Sequence, residues 1–111
     1  MGDLEGDYAP KYEIILYLNK GRRKINGKRD SNILKFNITG NKLHPTEKPV
    51  DLMRYLIEKS TNKGELVFDP FAGSGTTALA CKQLKRSFIG FEISAEYIKI
   101  AQKRLLQETL L

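Results

Sequence analysis

One cysteine, one histidine, no tryptophan and four isolated prolines in 111 residues set the first limits. The lone Cys81 cannot close an intramolecular disulfide, so a reducing cytoplasm is the default compartment. No apolar run approaches the length of a membrane span, and the N-terminus lacks the basic, apolar and small-residue architecture of a leader, so no membrane partner is expected. There is no internal repeat and no low-complexity tract, and no metal site is assigned.

What is present is ordinary in amount and uneven in place. Charged residues make up 29% and apolar ones 41%, as in a single small globular domain with a modest core. The net charge of +6 is concentrated in residues 11–43, where nine Lys/Arg meet only Glu13 and Asp30. Residues 1–10 are acidic instead, and 1–11 read as a flexible arm. A basic run of this kind is either a solvated face or a surface for a polyanion.

The chain is organised around Leu66-Val67-Phe68-Asp69-Pro70-Phe71-Ala72-Gly73-Ser74-Gly75-Thr76-Thr77. A short apolar run ends in a carboxylate, turns through two glycines about a serine, and opens a helix. Strand, glycine turn and helix N-terminus together make a nucleotide-cradling unit, because backbone approaches the ligand closely and the first helical turn offers free N–H donors. By itself the same pattern is also a plain strand-to-helix turn. Glu92, 23 positions after Asp69, sharpens it: an acid ending the next strand accepts two hydrogen bonds from a ribose cis-diol. No Gly-Lys-Ser/Thr follows the turn, which excludes a P-loop. Asp69 would repel a phosphate and favour a cationic ligand, which points to S-adenosyl-L-methionine with its sulfonium and α-amino group. NAD is second, since the third glycine of its fingerprint is missing.

Around this centre, Tyr12–Leu18 and Asn32–Ile38 read as strands, the first apolar and β-branched, the second alternating from Leu34. Between them lies a turn with Asn26-Gly27, a hairpin signal, and six cations able to lie along phosphates: Lys20, Arg22, Arg23, Lys24, Lys28 and Arg29. A helix starts at Pro49 and runs to about Ser60, with Leu52, Met53, Leu56 and Ile57 on its core stripe. After the glycine-turn helix, Ser87–Glu92 is a second parallel strand. Ser94 then caps a last helix bearing Ile98, Ala101 and Leu105 on one face, its tail fraying from Gln107. The alternation of helices and strands from residue 50 predicts an α/β fold with parallel strands and right-handed crossovers.

Three stretches carry a family resemblance: His44-Pro45-Thr46-Glu47-Lys48-Pro49, the run Asp69 to Thr77, and Ile89-Gly90-Phe91-Glu92. Together they resemble the bacterial and phage amino-group DNA methyltransferases, the adenine-N6 and cytosine-N4 enzymes of restriction–modification. The arrangement is similar to their beta class, over about residues 12–106. The resemblance implies a partial Rossmann-like S-adenosylmethionine-dependent methyltransferase fold, parallel strands with flanking helices, plus an N-terminal antiparallel strand pair. It implies that residues 12–43 hold those strands and a DNA-facing basic loop, and 44–111 the cofactor region. Phe71, Gly73 and Gly75 would shape the cofactor loop, with Asp69, Thr46 and Lys48 at the methionine end, Glu92 on the ribose and Ile93 on the adenine. His44 would be a turn residue rather than a base, and Cys81 a small core hydrophobe.

The family's catalytic tetrapeptide, Asp/Asn/Ser-Pro-Pro-aromatic, holds the flipped base. Pro10, Pro45, Pro49 and Pro70 are nowhere adjacent, so no such tetrapeptide stands in these residues, and no catalytic residue is assigned. The chain resembles the C-terminal half of such an enzyme, expected to bind cofactor and double-stranded DNA but not to transfer a methyl group alone. An uncovered sheet edge and apolar face would then drive self-association or pairing with a chain supplying the missing half. The alternatives are a catalytically silent binding module and, more remotely, an RNA or protein methylase.

Overall fold

The computed structural model describes residues 12–36 and 48–110. Five elements follow in order: α1 (Val50–Ser60), β1 (Leu66–Asp69), α2 (Thr76–Gln83), β2 (Ser87–Gly90) and α3 (Ala95–Leu110). None of the described helices is long and apolar enough to cross a membrane.

Helix α1 starts where proline fixes the backbone. Pro49 occupies the cap position, one residue earlier than the sequence suggests, and its carbonyl accepts from Met53 N–H at 3.2 Å. Asp51 in the first turn and Lys59 in the last both suit the helix dipole. Thr61 ends the helix: its amide and its hydroxyl both donate to the Ile57 carbonyl, at 2.9 and 2.6 Å.

β1 and β2 pair in parallel, with Leu66 opposite Ser87 and Asp69 opposite Gly90. A parallel pair needs a crossover, and α2 supplies it. Along each strand exposure alternates, so Val67 and Phe88 turn toward the helices while Leu66, Phe68 and Ile89 face outward. The buried centre is small: Ile57 of α1 with Ala80 and Cys81 of α2, packed by Val50, Met53, Val67, Leu84 and Phe88. Cys81 is wholly enclosed, and burial pushes its thiol up to about 11, as befits an inert core residue.

The loops at the N-terminal end of the sheet are knit by one side chain. Arg86 donates to the Thr61 hydroxyl at 2.9 Å, the Thr61 carbonyl at 2.8 Å and the Leu84 carbonyl at 2.7 Å. Beside it Lys85 takes a left-handed conformation that turns the chain into β2.

Two expectations are corrected here. Residues 12–36 contain no strand, so the described part of the antiparallel pair, Tyr12–Leu18 and 32–36, is absent; residues 37 and 38 lie outside the described residues. The reason is physical: a strand apolar on both faces forms only with a ladder partner and cover. Instead Ile14, Leu16 and Leu18 are about four-fifths exposed. In the second strand, β2 stops at Gly90 rather than Glu92.

Gly75 marks the tightest joint between elements. It sits at the cap of α2 with φ +88, and a Cβ there would lie 2.6 Å from the Ala101 Cβ of α3. Gly75→Ala should destabilise the chain by about 2–4 kcal/mol, combining the left-handed penalty with overpacking. Gly64→Ala, also at positive φ but with open space around it, should lose only about 1 kcal/mol. Urea unfolding of the two variants checks the difference.

Candidate functional site

The end of β1 and the start of α2 are joined by a loop whose polar groups are nearly all committed. Asp69 Oδ1 accepts from Phe71 N–H at 2.9 Å, so the carboxylate closes the first turn after the strand. The strand ladder then continues irregularly: Phe91 N–H donates to Asp69 O at 3.1 Å and Ala72 N–H to Phe91 O at 2.8 Å. Gly75 N–H returns to Ala72 O at 3.0 Å, tightening the loop about Gly73 and Ser74, with both glycines at positive φ.

Glu92 fastens this loop to the next strand. Its Oε1 accepts from Gly73 N–H at 2.8 Å and its Oε2 from Ser94 N–H at 2.8 Å. The same carboxylate therefore bridges the glycine turn and the entry to α3. Ser94 completes that entry as expected, its hydroxyl accepting from Tyr97 N–H at 3.3 Å and its carbonyl from Ile98 N–H at 3.0 Å.

The turn stands outside the carboxyl ends of two parallel strands, between Asp69 and Glu92, where an open α/β sheet would place its ligand crevice. Its rim is apolar and uncovered: Phe71 is 87% exposed and Ile93 fully so. Phe68 and Phe91 meet edge to face, 5.7 Å between centroids, on the open side of the sheet.

Of the cofactor residues expected from sequence, Asp69, Phe71, Gly73, Gly75, Glu92 and Ile93 gather here. Lys48 instead pairs with Glu13 at 2.5 Å, and Thr46 lies outside the described residues. One participant escaped the sequence reading. Arg104 of α3 reaches the turn, donating to the Ser74 carbonyl at 3.0 Å, the Ser74 hydroxyl at 3.3 Å and the Thr76 hydroxyl at 3.2 Å. Helical spacing could have found it, since Arg104 lies three positions beyond Ala101 on the face against α2.

The basic segment occupies the opposite end of the sheet. Asn26 does not make a hairpin. Its Nδ2 donates to the carbonyls of Glu58 and Thr61 at 2.9 and 2.8 Å, and its backbone N–H to Lys59 O at 2.8 Å. Lys59 answers by donating to the carbonyls of Asn26 and Lys28 and pairing with Asp30 at 3.0 Å. An Asn side chain thus meets the unpaired carbonyls that end α1. Arg23 grips Glu65, just ahead of β1, by two parallel bonds of 2.8 and 2.7 Å. Glu65 is separated from Asp69 by roughly 13 Å of strand. Lys20, Arg22, Lys24, Lys28 and Arg29 have no side-chain partner among the described residues.

Comparison with known proteins turns this geometry into a family. A DNA methylase family model, of the N6/N4 type, matches residues 15–103. The chain belongs to that DNA methylase family. Type II methyltransferase M2.DpnII of Streptococcus pneumoniae is 41% identical over 106 residues, covering 96% of this chain and 39% of the relative. The crystal structure of an M1.HpyAVI–SAM complex superposes with a TM-score of 0.63 at 45% identity, over 74% of this chain and 42% of that one. PvuII DNA methyltransferase, cytosine-N4-specific, gives 0.54 at 37% identity, over 59% and 23%. The fold is accordingly a partial Rossmann-like methyltransferase fold. The chain covers 39% to 42% of the length of M2.DpnII and two further curated relatives, and 21% to 25% of others.

The Arg23 clamp has a pH signature. Its guanidinium, followed by the Asn62 backbone N–H, lowers the Glu65 carboxyl from 4.5 to about 2. Such a depressed acid stabilises the fold fully above its unfolded value and loses that contribution as pH falls through the folded one. Between about pH 5 and pH 3, wild type should therefore lose more stability than Arg23→Ala, as thermal melts at the two pH values would show.

Proposed function

We propose that the crevice binds S-adenosyl-L-methionine and that this chain is the cofactor-binding portion of an amino-group DNA methyltransferase. The observation that carries the reading is the Glu92 carboxylate, fixed by Gly73 and Ser94 two residues past the end of β2, the strand beside Asp69. A carboxylate offers about four acceptor positions, so one group can hold backbone donors and ribose hydroxyls together. Asp69 supplies negative charge near a sulfonium or ammonium. Phe71 and Ile93 offer apolar surface for the adenine, Gly73 and Gly75 let backbone come close, and the family resemblance assigns the methionine end to Lys48, here paired with Glu13, and to Thr46, which lies outside the described residues.

Bound S-adenosylmethionine supplies an electrophilic methyl on a positive sulfur. In the family reaction an exocyclic amine attacks that carbon, the carbon–sulfur bond breaks and the nitrogen loses a proton. Adenine N6 is favoured and cytosine N4 is the second target. These residues hold no Pro-Pro-aromatic motif for the base, so the lone chain binds cofactor without transferring methyl. A silent binding remnant or split subunit is the competing reading. A labelled-methyl transfer assay on duplex DNA, with and without the product of a neighbouring reading frame, separates them. Activity of the lone chain would refute the incomplete-site reading.

Duplex DNA is the proposed partner of Lys20, Arg22, Lys24, Lys28 and Arg29, with Arg23 held mainly by Glu65. The outward face bearing Leu66, Phe68, Ile89 and Phe91, each about half exposed or more, is proposed to pair with a second copy or with a chain carrying the N-terminal half.

Glu92→Ala should weaken S-adenosylmethionine binding by about 1–3 kcal/mol, since it removes the ribose acceptor and frees the turn; calorimetry giving unchanged affinity would exclude Glu92 from the site. Arg22→Ala with Lys24→Ala should leave that affinity intact. The pair should lower DNA affinity and reduce the salt slope by about one for each phosphate no longer neutralised, as measured by titration at two salt concentrations.

A further inference from the structure

The glycine turn is held from two sides, and only one of them was legible as a binding element. Glu92 grips the Gly73 amide from the strand side. On the other side lies Ser74, 3% exposed, and none of the loop's backbone N–H bonds described above ends on its carbonyl. Arg104 provides the donor. A single nitrogen, Nη1, faces the Ser74 carbonyl at 3.0 Å, the Ser74 hydroxyl at 3.3 Å and the Thr76 hydroxyl at 3.2 Å. That nitrogen has two hydrogens for three acceptors, so at least one bond is shared, and the shortest goes to the carbonyl. The three oxygens span the last residues of the loop and the first of α2, the point where the chain changes from turn to helix.

The placement of Arg104 is enforced by packing. Three residues earlier on the same helix, Ala101 lies so close to Gly75 that no side chain would fit there. This approach sets the distance between α3 and the turn, and Arg104 stands next along the face that it fixes. A guanidinium at this spot does two things at once: it satisfies a buried carbonyl, and it locks the rotamer of Ser74 between the two glycines. Neither task calls for contact with a ligand.

We infer that Arg104 is a positioning residue for the S-adenosylmethionine site, holding the Gly73–Ser74–Gly75 turn in its ligand-ready geometry from behind. The inference rests on the proposed cofactor reading and adds a residue to it. Removing Arg104 leaves Asp69, Glu92 and the apolar rim in place but lets the turn sample other conformations. The ligand must then select the competent one, and affinity falls by the fraction of chains that leave it.

The test is cofactor affinity by calorimetry on the full chain, for wild type, Arg104→Leu and Arg104→Lys, with thermal midpoints for each. Arg104→Leu should raise the S-adenosylmethionine Kd about tenfold, and Arg104→Lys, which returns a cationic donor to the same acceptors, should stay within about threefold. Ile57→Val, which loosens the core away from the turn, serves as a control of lowered midpoint and should leave Kd unchanged. Arg104→Gln, polar but too short to span the gap, gives the same comparison if the leucine variant does not fold. Amide exchange in the ligand-free chain should quicken at Gly73, Ser74 and Gly75 in Arg104→Leu and not in β1. Wild-type affinity in Arg104→Leu, or an equal loss in Ile57→Val, would overturn the positioning role. A wild-type chain that binds no S-adenosylmethionine would overturn the cofactor reading itself.

Discussion

The carboxylate of Glu92 is the joint on which the site depends. Two parallel strands of four residues cannot by themselves define the loops that leave them. Glu92 removes that freedom by taking Gly73 N–H on one oxygen and Ser94 N–H on the other. Charge-assisted bonds to backbone donors are short and strong, and here they fix both loops relative to each other. With Arg104 pressing from α3, the glycine turn becomes a braced object rather than a flexible one. Everything proposed for the crevice presupposes that bracing.

The second organising feature is at the far end of the sheet. There Asn26, Lys59, Arg23, Glu65 and Arg86 form a polar lattice that closes the end of α1 against the N-termini of both strands. The basic segment thus has a structural task independent of any partner. Arg23 illustrates the division: a residue read as a phosphate contact spends its charge mainly on Glu65, while its neighbours remain outward. Surface ion pairs of this kind stabilise modestly, yet the bidentate geometry gives this one direction.

The C-terminal part of the molecule was legible because its signals are local. Helix stripes, a proline before α1, a serine cap at α3 and the glycine turn each act within a few residues, and the elements form where those signals sit. The return of Glu92 to the glycine turn, where it accepts from Gly73 N–H, was legible from a distance because a parallel βαβ unit has a nearly fixed length. Tyr12–Leu18 was not legible in the same way. Its composition favours a strand, but a strand is a contract between two segments, and no ladder partner stands beside it among the described residues. Asn26-Gly27 carried a hairpin signal, yet the carbonyls at the end of α1 compete for the same side chain and win. Arg104 was harder to read for the opposite reason: helical spacing puts it on the Ala101 face, but only the close approach at Gly75 gives it a target.

That close approach also has a mechanical meaning. A junction between a residue with no side chain and one with a single methyl has no rotamers through which to yield, so it behaves as a hard stop rather than a cushion. Helix α3 and the glycine turn therefore translate together or not at all. Adjustment to a ligand would fall instead to the long side chains on the rim, Phe71 and Ile93, whose exposure leaves room to turn without moving the backbone.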